Sequence, residues 1–137
     1  MTVEELQQLF YLDKLIQNEL TRLEALREAA DIKSPALTTM PRAPGAKDKL
    51  GDIVPQIADL EQEIEENIRI YAETRDRLLK YINRVPNARI KLIMILRFIE
   101  QRPWEEVADV VGGKETGDSA RMCVTRYLAM EESYSGG

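Results

Sequence analysis

The chain has 137 residues, 44% of them hydrophobic and 31% charged, a balance that suits a small folded protein and excludes wholesale disorder. It has no histidine and one cysteine, Cys123, which excludes histidine metal sites, Ser-His and Cys-His nucleophile pairs, paired-cysteine zinc sites and an internal disulfide framework. The net charge of −5 is polarised: residues 1–83 carry −5, residues 84–130 carry +2 and residues 131–137 carry −2, so the back part permits a nucleic-acid face.

Residues 3–31 read as one long helix, because Leu6, Leu9, Leu12, Ile16, Leu20, Leu23 and Leu26 recur every three or four positions. Thr2 followed by Glu5 suits a capping box at its start. The stretch 32–47, with three prolines and a glycine, predicts a break that no helix crosses. A second long helix follows over roughly 48–83. Its stripe runs through Leu50, Ile53, Ile57, Leu60, Ile64, Ile68, Tyr71, Leu78 and Ile82, much of it at heptad spacing. Asn67 falls near this seam and either fixes the register or sits solvated beside it. Pro55 either kinks the helix or marks its start. Two helices of similar length with one apolar face each predict an antiparallel hairpin. The stripe is longer than one partner helix covers, which makes Ile57, Leu60, Ile64 and Tyr71 the candidate self-association residues.

Val85-Pro86-Asn87 stops the second helix, and Asn87 suits the N-cap of a third over about 88–100. The run KLIMILRFI is apolar on nearly every side, as in a helix surrounded by others. A fourth helix over about 103–111 has Pro103 at its first position, Glu105 and Glu106 at its positive end and Gly112-Gly113 at its stop. Trp104, Val107, Ala108 and Val111 form its inner side, and Trp104 is expected at the centre of the cluster. A fifth helix starts near Asp118 or Ser119, with Asp118 as its cap, and runs to about 131. The fold class is therefore all-α: a long coiled-coil-like hairpin over 1–83, then a three-helix helix-turn-helix domain over 84–131 and a short tail.

In a helix-turn-helix the last helix enters the DNA major groove. A wheel drawn on 118–131 turns Ala120, Val124, Tyr127 and, in part, Cys123 inward. Met122, Thr125 and Ala129 point outward between Arg121 and Arg126. Arginine binds guanine edges or phosphates, and threonine contacts bases. Lys114, Ser119, Arg121, Met122, Thr125 and Arg126 are thus the candidate contacts to double-stranded DNA. Glu115 and Asp118 place negative charge in or beside the turn. The carboxylates Glu61, Glu65 and Glu66 read as the wet face of a helix, Cys123 as a small core residue, and Gly112-Gly113-Lys114 lacks the rest of a P-loop. No catalytic group, metal or cofactor is expected. No apolar run approaches the roughly 20 residues of a membrane span. The start MTVEELQQLF has neither the basic end nor the apolar core of a signal peptide, so the expected compartment is the cytoplasm.

The segment LRFIEQRPWEEVADVVGG resembles the region-four DNA-binding domain of bacterial sigma factors, with Leu96, Arg97, Phe98, Trp104, Glu105, Glu106, Val107, Ala108 and Gly112 matching its pattern in order. Nearly the whole chain resembles an uncharacterised phage and prophage family of Gram-positive bacteria, grouped with the ArpU-type late transcription regulators. Met40, Pro41, Arg42, Gly45, Lys47, Asp48 and Lys49 carry its linker signature. The resemblance implies a DNA-binding transcription regulator in a bacterial host cell, its hairpin used for self-association or RNA polymerase contact. Two other readings remain open. One is a phage protein-interaction module that binds or inhibits a host protein without DNA. The other is a DNA-packaging component of small-terminase type.

Overall fold

The side-chain oxygen of Thr2 accepts a hydrogen bond from the Glu5 backbone N–H at 3.1 Å, so the chain enters helix where a capping residue is placed to start it. In the computed structural model, which describes residues 1–36 and 44–135 and the side chains of 1–31 and 53–133, every regular element is helical. The first helix, α1, spans Val3–Leu6 and gives way at Gln7 to α2, Gln8–Ala36. The long helix α3 covers Pro44–Asn83. Asn87 caps α4, Ala88–Met94, its side chain accepting from the Ile90 N–H at 3.0 Å. A π-helical turn, Ile95–Ile99, continues directly from α4. The last two helices are α5, Trp104–Val111, and α6, Gly117–Ser135.

The all-α class and the hairpin agree with the sequence. Several boundaries differ. The first predicted helix is divided at Gln7 and continues past residue 31 to Ala36, and α3 begins at Pro44. The break expected over 32–47 is therefore narrower, and its remainder, residues 37–43, lies outside the described residues. Pro55 stands inside α3 rather than at its start. Pro103 is the N-cap of α5, with ψ 151°, because proline's extended conformation there precedes the first helical residue, Trp104. At the end of the π-helical turn Gln101 takes φ 59°. The Arg102 N–H reaches back to the Leu96 carbonyl at 3.0 Å, a helix-ending bond that requires a left-handed residue just before it.

By contacts the chain forms two units, Asp13–Ile70 and Met1–Leu12 with Tyr71–Gly137. The boundary drawn from sequence, between residues 83 and 84, falls inside the second of these.

In the first unit Glu19 faces Asn67 and Arg27 faces Glu61. One number rises as the other falls, so the two helices run antiparallel. Leu23, Leu60 and Ile64 form the buried seam, with Leu26 and Ile57 at its edge. The seam passes through Glu19 and Asn67, where the sequence stripe runs through Leu20 and Ile68. Leu20 is 47% exposed and Ile68 50%, whereas Glu19 is buried and accepts from the Asn67 amide at 2.8 Å. Of the four self-association candidates, Ile57, Leu60 and Ile64 pack within this seam and Tyr71 packs against the core of the other unit. Their burial thus has a cause inside one chain, and a charged substitution such as Ile64→Asp would disrupt this seam before it tested any assembly. Glu61, Glu65 and Glu66 are exposed, as expected of a wet face.

The polar layer gives a test. Asn67→Ala removes the donor that meets a buried carboxylate and is expected to lower hairpin stability by about 1–3 kcal/mol. Replacing Glu19 and Asn67 together by leucine is expected to be neutral or stabilising, with register specificity lost. Thermal melts of the three proteins check the order.

The other unit holds the larger core. Leu6, Leu9, Leu78, Ile82, Ile93, Met94 and Val107 are fully buried in it, and Val124 nearly so. The Tyr81 hydroxyl donates to Glu131 at 2.5 Å. Burial, reinforced by that carboxylate, pushes the Tyr81 phenol well above its ordinary pKa.

Candidate nucleic-acid interface

Glycine sets the turn between α5 and α6. Gly112 at φ 81° and Gly113 at φ 68° occupy backbone conformations that side chains rarely adopt. The Gly112 N–H still bonds the Ala108 carbonyl at 2.9 Å, and the chain then leaves the helix axis. Thr116 restarts it. Its hydroxyl accepts from the Ser119 N–H at 3.1 Å, while Ser119 Oγ accepts from the Thr116 N–H at 2.9 Å. This reciprocal pair is a capping box. Thr116, not Asp118, is thus the cap of α6, and Asp118 is an exposed residue of its first turn. Gly117 allows the start of α6 to approach α5: a Cβ there would stand 3.3 Å from Trp104 Cβ.

The buried side of α6 is Ala120, Val124 and Leu128, with Cys123 and Tyr127 half-buried beside them. The wheel places the first two correctly, and Leu128 is the inward residue that it omits. Met122, Thr125 and Ala129 are exposed between Arg121 and Arg126, as expected. Thr125 Oγ1 donates to the Arg121 carbonyl at 3.0 Å, which leaves its oxygen able to accept. Arg121 lies 3.9 Å from Asp118, a loose exposed pair. Lys114 is exposed in the turn.

Ser119, Met122 and Arg126 line one open groove together with Asn87 and Arg89 from the start of α4. Lys114, Arg121 and Thr125 do not line it. The structure therefore brings half of the candidate residues into one concave surface and leaves the others outside it.

The sequence did not point to Arg89. Its guanidinium donates to Glu115 and, at 3.3 Å, to Cys123 Sγ. These partners lie 26 and 34 positions away, beyond the reach of any local pattern. Glu115 has only 9% of its side chain exposed, so its charge is held inside the domain, paired with Arg89. Cys123 is half-buried and packed against the core, with its Sγ turned to Arg89.

The hydrogen bond from Arg89 holds the Glu115 carboxyl below its ordinary pKa. A carboxylate favoured in the folded state stabilises it above the unfolded pKa and loses that contribution as pH falls through the lowered value. The melting temperature of the wild type is expected to exceed that of Glu115→Gln near neutral pH, and the gap is expected to close under acid conditions, below the unfolded carboxylate pKa of about 4.3. Paired melting curves from pH 7 down to pH 3 check this.

The Arg97 guanidinium lies over the Trp104 ring at 4.8 Å and donates to the Arg102 carbonyl at 3.1 Å. Burial lowers its pKa. Its role is to brace the approach to α5. Among the described residues no group of three or more cysteine or acidic side chains is placed to hold a metal ion, and no helix is long and apolar enough to cross a membrane. No family model, curated protein or solved structure matches the chain.

Proposed function

We propose that the protein is a DNA-binding transcription regulator of the phage type that its sequence resembles, with α6 as the helix that enters the major groove. The observation that carries this reading is the division of α6 into two sides. Ala120, Val124 and Leu128 anchor one side in the core, while Arg121, Thr125 and Arg126 are exposed on the other. A glycine turn and a capping box fix where that exposed side begins. Arginine and threonine are suited to phosphates and base edges. The hairpin serves self-association or RNA polymerase contact in this reading. Leu15, Leu20, Val54 and Ile68 are among the exposed apolar residues it offers.

The test is a titration of the full chain with fluorescent duplexes at several salt concentrations. Affinity is expected to fall steeply as salt rises. Arg121→Ala and Arg126→Ala are each expected to cost about 1–3 kcal/mol of binding where the arginine reads a base. A phosphate-holding arginine would instead flatten the salt slope by about one unit when removed. Neither change should alter folding stability by more than about 0.5 kcal/mol, since both side chains are exposed. Absence of binding even at low salt overturns the proposal in favour of a protein-interaction module.

A further inference from the structure

The groove between the start of α4 and one flank of α6 encloses about 710 Å³. Its apolar lining is Ile90, Met122, Cys123, Tyr127 and Met130. Met122 is 40% exposed and Met130 60%, eight positions apart and so on one flank of the helix. The core does not account for either, since Ala120, Val124 and Leu128 already fill the inner side. The charged lining is Arg89, Arg126 and Asp118; Arg89 is paired with the Glu115 carboxylate, which leaves Arg126 as the guanidinium that faces the groove beside Asp118. Arg89 is already oriented by Glu115 and Cys123 Sγ.

An apolar floor flanked by the guanidinium groups of Arg126 and of the Glu115-paired Arg89 restricts what a polyanionic duplex can offer it. Among the major-groove edges of the four base-pair orientations, the thymine 5-methyl is the apolar group. We propose that this groove takes thymine methyl groups, with Met122 packed against them and Arg89 and Arg126 directed to the flanking phosphates. The inference rests on the DNA-binding reading and gives it a base preference. Methionine suits the task because its unbranched thioether adapts to the surface it meets. Arg89 becomes a phosphate-positioning residue outside the recognition helix.

The experiment uses the full chain and a duplex selected from a random pool, prepared once with thymine and once with deoxyuridine at every thymine position. The two duplexes differ only in methyl groups. The wild type is expected to bind the uracil duplex about fourfold more weakly for each methyl that it buries. Met122→Ala is expected to bind the thymine duplex no better than the uracil duplex, and Met122→Leu to restore much of the difference. Melting curves confirm that these exposed-site variants remain folded. Equal binding of the two duplexes by the wild type, with Arg121→Ala and Arg126→Ala still weakening both, overturns the thymine assignment and leaves the DNA-binding reading standing. Discrimination that persists in Met122→Ala also overturns the assignment. Failure of the wild type to bind any duplex at low salt overturns both readings, and the groove then fits an apolar helix face of a protein partner.

Discussion

Ile93→Ala is expected to lower the unfolding free energy by about 2–5 kcal/mol, a large share of the 5–15 kcal/mol typical of a domain. Ile93 is fully buried in α4, and α4 packs against both α5 and α6. Removing three carbons there leaves a cavity that neighbours on two helices can close only by moving in and giving up packing of their own. Ile93→Val deletes one methylene and should cost only about 0.5–1.5 kcal/mol. Urea unfolding of the two variants checks both values, with the slope unchanged if the denatured state is unaffected. Trp104 provides the contrast. It is half-buried, meeting Phe98 edge to face at a ring separation of 6.3 Å and Arg97 on its face. The sequence reading puts Trp104 at the centre of the cluster, because a lone tryptophan is the largest apolar side chain available. The structure puts Ile93, Met94, Val107 and Val124 there instead.

That difference shows how a pattern of residue types is read more easily than a register. The helix spans near the C-terminus follow from Asn87, Pro103 and the Gly112-Gly113 pair, whose effects act within a turn of where they sit. The hairpin seam was legible at Leu23, Leu26, Ile57, Leu60 and Ile64, and the stripe leaves it at Leu20 and Ile68. Leu20 and Ile68 look like seam residues because they are apolar. Yet the steps from Ile16 to Glu19 to Leu23, and from Ile64 to Asn67 to Tyr71, keep the three-four alternation that a straight contact line demands. The hydrogen bond between Glu19 and Asn67 supplies what the polar layer needs to be buried. The candidate interface divides in the same way. Its exposed arginines follow from a helical wheel. Arg89 and Glu115 meet only through the packing of α4 against the turn, so no spacing rule in the sequence joins them. The cap of α6 was misassigned for a related reason. Thr116, Asp118 and Ser119 are all capping residue types, and only the hydrogen bonds of the turn select among them.

A fragment of residues 84–131, the span that sequence alone marks as the helix-turn-helix domain, is expected not to fold cooperatively. The core of the unit that contains it includes Leu6 and Leu9 from the start of the chain and Leu78 and Ile82 from the end of α3. All four are fully buried. Truncating one such leucine or isoleucine to alanine already costs about 2–5 kcal/mol. Omitting all four, with Tyr81 beside them, removes an amount comparable to the whole stability of an ordinary domain. The fragment would also expose the faces of Ile93, Met94 and Phe98 to water, in a chain near the length below which a single core rarely suffices. Circular dichroism of the fragment should show reduced helicity and no sharp thermal transition. A single chain joining residues 1–12 to 71–135 through a flexible linker should recover both, because it restores every buried partner of that core. A cooperative transition in the 84–131 fragment would mean that Leu6, Leu9, Leu78 and Ile82 cover a domain that is already complete.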